Sequence, residues 1–223
     1  MTREFYLQKI VIYNPMRYYG QCGEDVHIHA KYFPTLRNGV FLEMGAFDGV
    51  IYSNTKFFED SLGWSGVLIE PHPRAFGSLR MNRPKCKLYN FAISETSGDV
   101  EFYMNSNGPV SSVKNLTTNT HYNSWHAKSQ TSIIKVPSTR LDTILQESGV
   151  QRIDFWSLDV EGGEYEVLKT MNWAIPVYLI CIEKQEADRK ILCDAILKEN
   201  GFTFAETIAH NEIWVNVNNR PKV

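Results

Sequence analysis

Short apolar runs alternate with longer amphipathic ones along this chain, and several apolar runs end on a carboxylate. Glu24 to Phe33 predicts a short helix stopped by Pro34. Val40–Met44, Gly66–Ile69 and Lys87–Ala92 read as three strands, with helices over Asn54–Ser61 and from Pro73 to about Met81 between them. Ser97-Gly98-Asp99 reads as a turn into an extended Val100–Tyr103, and Ser132–Val136 alternates again. Leu141–Glu147 predicts a helix introduced by Ser138-Thr139. Ile153–Leu158 is a strongly apolar strand ending at Asp159, followed by a helix over Glu164–Met171. Val177–Ile182 is a buried strand ending at Glu183, and a helix from about Glu186 to Lys198 stops at Asn200-Gly201, a glycine-type cap. Phe202–Ala205 and Glu212–Val217 close the chain as a strand pair. Strands alternating with helices predict an α/β fold, a mostly parallel sheet with helices on both faces and one antiparallel strand at the end.

Two stretches lie outside this rhythm. Residues 1–20, rich in Tyr and Phe, read as an N-terminal extension or linker before a domain over 21–223. Residues 105–130 are rich in Asn, Ser, Thr and His with no clear period, and a loop this long in a compact domain is usually functional or disordered. At 223 residues the chain has room for one well-buried domain. A net charge of −2 without a polybasic block points to neither nucleic acid nor an anionic membrane as partner. No apolar run approaches a membrane span, and the first residues lack a signal peptide's apolar segment, so a cytoplasmic location is expected. Four cysteines are scattered without a Cys-x-x-Cys pair, as expected of free thiols in a reducing compartment.

The candidate chemistry sits at strand ends. Phe41-Leu42-Glu43-Met44-Gly45-Ala46-Phe47-Asp48-Gly49 and Val67-Leu68-Ile69-Glu70 both carry an acid where an open α/β sheet places its ligands. The turn lacks the glycine spacing of a dinucleotide site and puts an acid where a phosphate would sit; no P-loop occurs either. An acidic turn suits a cation, and S-adenosylmethionine (SAM) carries a sulfonium and an ammonium. Glu43 or Asp48 would face that positive end while Glu70 takes the ribose diol; helix capping is the structural alternative for each acid.

These segments resemble the FkbM family of SAM-dependent methyltransferases. The likeness extends through Gln21-Cys-Gly-Glu24-Asp25, Tyr52-Ser-Asn54-Thr55, Glu70-Pro71-His-Pro73, Asn90-Phe-Ala92-Ile-Ser94, Ser97-Gly-Asp-Val-Glu-Phe102, Arg140-Leu-Asp142-Thr and Ile153-Asp-Phe-Trp-Ser-Leu-Asp159-Val-Glu161-Gly-Gly-Glu164. It implies a class I SAM-methyltransferase (Rossmann-like) fold of seven strands, the last antiparallel, and methylation of a hydroxyl, commonly on a sugar or a polyketide. The resemblance places Gln21, Glu24, Glu43, Gly45, Ala46, Asp48, Gly49, Asn54, Thr55, Glu70, Pro71, Ala92 and Asp159 around the cofactor, with Asn54 and Thr55 at its carboxylate and Ala92 beside its adenine.

A sugar hydroxyl is a poor nucleophile at neutral pH, so a base or a metal must take its proton. Asp159, Glu161 and Glu183, at the ends of two apolar strands, are the expected catalytic acids, with His72 and His210 behind them. The same three acids are the candidate ligands of a hard divalent ion, Mg or Mn. Capping is the alternative for Asp159 and Glu161. His27 and His29 sit two apart on a predicted helix and do not face each other, which argues against zinc. Ser111, Ser112, His121, Tyr122 and Trp125, in the aperiodic stretch, are the candidate acceptor contacts, and Lys184 and Arg189 would bind an anionic acceptor or be solvated. The expected activity is O-methylation of a carbohydrate, on a glycan or a sugar nucleotide, with association or fusion to glycosyltransferase domains. The rivals are methylation of a lipid, polyketide or amide nitrogen, and a non-catalytic module that docks a glycan or a partner.

Overall fold

A computed structural model describes residues 16–106 and 108–222. Most of the expected 1–20 extension therefore lies outside the described residues. In chain order the elements are α1 (Glu24–Tyr32), β1 (Val40–Met44), α2 (Lys56–Leu62), β2 (Ser65–Ile69), α3 (Pro73–Asn82), β3 (Lys87–Tyr89), β4 (Ala92–Ile93) and β5 (Gly98–Asn105). Then come β6 (Ser112–Val113), α4 (Asn119–His121), a π-helical turn over Tyr122–His126, β7 (Thr131–Thr139), α5 (Leu141–Ser148) and β8 (Ile153–Leu158). The chain closes with α6 (Glu164–Thr170), β9 (Val177–Glu183), α7 (Ala187–Glu199), β10 (Thr203–Ile208), β11 (Asn211–Val215) and a 3-10 turn over Val217–Asn219.

The main sheet has seven strands in the order β10-β11-β9-β8-β1-β2-β3. It is mixed: β3, β2, β1, β8 and β9 pair in parallel, while β11 runs antiparallel to both β9 and β10. The central strands are mostly apolar because both faces are covered, with Glu43, Asp154 and Ser157 as buried polar exceptions. Alternate side chains feed two cores. Leu42, Met44, Trp156, Leu158, Ile180 and Ile182 pack against Leu141, Ile144, Val167, Leu168 and Leu197 of α5, α6 and α7. Phe41, Leu68, Phe155, Leu179 and Cys181 pack against Ile28, Phe57, Phe58, Leu62 and Leu79 of α1, α2 and α3.

Three expectations change. The strand expected over Lys87–Ala92 is two strands: β3 ends at Tyr89, and β4 joins a separate four-stranded sheet ordered β4-β7-β5-β6. That second sheet rests on the long β5–β7 pairing, from Gly98↔Ser138 to Asn105↔Thr131, and on a small core of Ala92, Phe102 and Val136. Ser138-Thr139 belong to β7, and Arg140 takes the N-cap position of α5. The aperiodic stretch is folded over its described part. His126 is buried and its ring nitrogens contact Ser112, Asn105 and Thr131, a polar anchor that leaves no hydrophobic period to read.

No cysteine pair forms among the described residues; Cys181 and Cys193 are buried and Cys22 is exposed. His27 bonds Glu206 while His29 bonds the Tyr18 hydroxyl, so the two do not share a site. No helix among the described residues is long and apolar enough to cross a membrane.

Candidate active site

Strands β1 and β8 are parallel neighbours, with Met44 opposite Leu158, so both chains leave the sheet at one edge. Gly45 has φ +72, and a Cβ there would lie 1.8 Å from the Asp159 carbonyl oxygen. The close approach that requires this glycine is therefore the neighbouring turn, and it welds the two turns into a single rim. The Asp159 N–H completes the weld by donating to the Met44 carbonyl at 3.3 Å.

Two cavities meet at this rim. One is narrow, about 40 Å³, lined by Glu70, Pro71, Phe91, Ala92, Ile93, Phe102, Gly108, Pro109, Ser111, Val113 and Leu116. The other is a wider cleft of about 670 Å³, lined among others by Gln21, Ala46, Tyr52, Asn54, Trp125, Ser157, Glu183, Lys184, His210 and Asn211. Gly45, Asp159 and Glu161 line both.

The carboxylates of Asp159, Glu161 and Glu183 converge, each offering an oxygen within 4.8 Å of the others. Burial and the charges of Glu24 and Glu43 push the Asp159 carboxyl up to about 6. Burial, then Asp159 and Glu164, raises Glu161 well above the usual range. Burial, then the charges of Asp159, Glu164 and Glu161, pushes Glu183 up to about 11. Like charges held this close cannot all ionise, so the trio titrates as a unit. The backbone carrying these acids is strained and braced. Glu161 has φ +59, an unusual conformation for a side chain of this size. The buried Glu164 carboxylate accepts from the Val160 and Gly162 N–H groups, and Arg189 donates to the Gly162 carbonyl at 2.8 Å and to Glu166. From the folded 105–130 stretch, His121 places Nδ1 3.2 Å from Glu161 Oε2, and its Nε2 lies 3.3 Å from the Val110 carbonyl.

Glu70 is buried at the narrow cavity, where its two oxygens accept from the Phe47 and His72 N–H groups at 2.8 and 2.7 Å. Burial outweighs those bonds and pushes its carboxyl up to about 7.

Several expected site residues lie elsewhere. The Glu43 carboxylate borders the cleft but is consumed: it accepts from Ser53 Oγ, the Asn54 N–H and Thr55 Oγ1, and contacts Arg83 at 3.5 Å. It holds a loop and does not present a free charge. Thr55 is fully buried between Glu43 and Arg83, out of reach of a cofactor carboxylate. Asp48 accepts from the Val50 and Ile51 N–H groups and lines a neighbouring groove with His72 and Arg74. Gly49 faces Leu79 and Arg83 of the α3 region. Glu24 is buried, accepting from the Cys22 N–H and from Asn211 Nδ2. Ser112 is buried in the His126 network. Tyr122 packs on Tyr103, with ring centroids 5.4 Å apart, and is not part of the cleft wall. His72 caps α3, accepting from the Arg74 and Ala75 N–H groups.

The reading of the sequence missed Arg83, Tyr52 and Ser157. Arg83 is wholly buried, paired with Glu59 and Glu43 and bonded to Gly49 O, Ser53 and Thr55. Nothing in its local sequence marks it, since an arginine near a helix end is normally solvated. Tyr52, at φ +61, stands at the cleft half exposed; its place inside the Tyr-Ser-Asn-Thr segment was the available signal.

Among curated proteins none matches the chain. Solved structures similar to it include a precorrin-6y C5,15-methyltransferase from Geobacter metallireducens, at 11% identity over 86% of this chain and 85% of that one, TM-score 0.45. A TehB-like SAM-dependent methyltransferase from Corynebacterium glutamicum is 8% identical over 87% of each chain, TM-score 0.45. Aeropyrum pernix fibrillarin, in complex with natively bound S-adenosyl-L-methionine, is 10% identical over 86% of this chain and 72% of that one, TM-score 0.47. The family model described as "Methyltransferase FkbM domain" matches residues 43–208, more than half of the 223 residues. The chain belongs to the FkbM methyltransferase family.

Proposed function

We propose that the protein uses SAM to methylate a hydroxyl of a carbohydrate, on a glycan or a sugar nucleotide. The observation that carries this reading is the Asp159–Glu161–Glu183 cluster at the junction of a narrow cavity bordered by Glu70 and a wider cleft.

The residues present fit SAM. Asn54 lines the cleft, and its buried Oδ1, set against Gly20, has no partner among the described residues. The acidic rim favours a cation. Glu70 would accept from ribose hydroxyls, and Pro71, Phe91, Ala92 and Ile93 supply apolar walls for a purine. The cavity of about 40 Å³ adjoins the cleft of about 670 Å³ through Gly45, Asp159 and Glu161, and the two together have the volume of a small-molecule site. When bound, SAM supplies a methyl carbon activated by its sulfonium.

The chain's own part is alignment and proton removal. Fixing two reactants in line is worth roughly 7–11 kcal/mol in well-oriented cases. Asp159, pushed up to about 6, is ionised at neutral pH yet basic enough to take a hydroxyl proton, which is where a general base works best. Glu161 and Glu183 hold their protons more tightly and hydrogen-bond the acceptor's other hydroxyls. The three carboxylates also favour a second role, as oxygen ligands of Mg or Mn. A bound ion would pull all three into the ionised state and acidify the hydroxyl in place of a protein base.

Incubation with methyl-labelled SAM and a panel of sugars and sugar nucleotides, with and without EDTA, tests the reading. Label in a sugar product is expected. Label only in lipid or amine acceptors overturns the carbohydrate assignment, and loss of turnover with EDTA that Mg restores selects the metal role over the Asp159 base.

A further inference from the structure

Tyr52 is a bulky residue held at φ +61, a backbone conformation seldom adopted without cause, with its side chain left half exposed. The loop that carries it is rigid. On one side the Asp48 carboxylate fixes the Val50 and Ile51 N–H groups; on the other, Glu43 grips Ser53, Asn54 and Thr55. A backbone bridge to Gly20 secures Tyr52 itself. Tyr52 lines the same cleft as Asp159, Glu161 and Glu183. A second half-exposed ring, Trp125, reaches the same cleft from the π-helical turn, where the neighbouring His126 is turned inward as the anchor. Isolated π-helical turns occur often at functional sites. Neither ring has an aromatic partner among the described residues, whereas Tyr122, equally part of that turn, is packed on Tyr103.

We propose that Tyr52 and Trp125 are the acceptor platform of this cleft, taking the C–H face of a pyranose ring whose hydroxyls then meet the carboxylates at the rim. The chemistry is that of an amphipathic ligand: an aromatic face offers apolar area at little entropic cost, and the carboxylates accept hydrogen bonds from the ring's edge. Tyr52 would set which sugar face turns toward Asp159, and so which hydroxyl is presented. The proposal rests on the methyltransferase reading and adds the residues that select its substrate.

The test uses the protein loaded with S-adenosylhomocysteine and titrated with methyl α-D-mannopyranoside, methyl β-D-galactopyranoside and methyl α-L-rhamnopyranoside, read by saturation-transfer NMR. At least one glycoside is expected to bind, receiving saturation mainly on its C–H face. Tyr52→Ala and Trp125→Ala should each weaken that binding about tenfold, the scale of one lost aromatic contact. Tyr52→Phe should keep it, Tyr122→Ala should leave it unchanged, and nucleoside affinity should stay constant in all four. If no glycoside binds a protein that does bind S-adenosylhomocysteine, or if binding survives both alanine substitutions, the platform is wrong while the methyltransferase reading stands. If wild-type protein fails to bind S-adenosylhomocysteine, both fall.

Discussion

Glu43 and Asp159 belong to neighbouring parallel strands, Glu43 one residue before the end of β1 and Asp159 just past the end of β8, yet they do opposite things. Glu43 is saturated by chain donors: two hydroxyls, a backbone N–H and the Arg83 guanidinium. Asp159 looks instead at other acids, and its carboxyl is raised by burial and by the negative charges around it. The first arrangement lowers the free energy of the fold. The second costs free energy and leaves unspent proton affinity at the rim of a cleft. An acid that satisfies its neighbours holds structure, and an acid crowded by its own kind is available for chemistry.

The sharpest way to break this contrast is to neutralise one member at a time. Asp159→Asn should reduce turnover about 10²–10⁴-fold, the usual span for a general base, with a melting temperature no lower than wild type because a repulsive charge has gone. An unchanged rate would show that Asp159 is neither base nor metal ligand. Glu43→Ala should do the reverse, costing about 2–4 kcal/mol of stability in urea unfolding because it leaves the buried Ser53 and Thr55 hydroxyls and the Asn54 N–H without their acceptor, while Arg83 keeps Glu59. Unfolding at the wild-type midpoint would make Glu43 dispensable to the fold. A smaller effect is expected at Glu70, which sits between the two types: bonded by two N–H groups yet raised to about 7. Glu70→Ala should weaken SAM binding about 10- to 100-fold in calorimetry, the worth of charge-assisted hydrogen bonds. Wild-type affinity should tighten as pH rises through about 7, where the carboxyl becomes a full acceptor; equal affinity in the variant would remove its ribose role.

The smallest effect is on the stability of the ligand-free protein. Glu70 and Glu164 keep their protons to about pH 7 in the folded chain but release them near 4.5 when unfolded. Between those values the folded state binds more protons, so stability falls as pH rises across that window. His29, His72, His121 and His126, whose pKa values burial lowers, act in the opposite direction below about pH 6.5, so the check is a comparison: Glu164→Gln should lose part of the fall, and a melting temperature with the same pH dependence as wild type between pH 5 and pH 7 would contradict the crowded-acid picture.

The order of strands and helices was readable from the chain because period and run length report local burial. Phe41-Leu42 and Phe155-Trp156 put apolar side chains on both faces of their strands, and such runs read as buried strand wherever they are met. The second sheet was not readable in the same way. Ala92–Ile93 is too short to carry a period, and its partner at Ser138–Thr139 lies more than forty residues on. Nor did the 105–130 stretch show its fold, since polar bonds around His126 and Asn105 hold it in place of an apolar face.

By itself the sequence determined that acids stand at the ends of Val40–Met44, Gly66–Ile69, Ile153–Leu158 and Val177–Glu183, on the edge of an α/β sheet, because strand ends and carboxylates are local facts. Which of those acids are spent and which are left over was decided only in three dimensions. Arg83 and Thr55 reach Glu43, Phe47 and His72 reach Glu70, and Asp159, Glu161 and Glu183 reach each other. A carboxylate's proton affinity depends on the donors and charges within a few ångströms, and a linear chain does not specify those until it has folded.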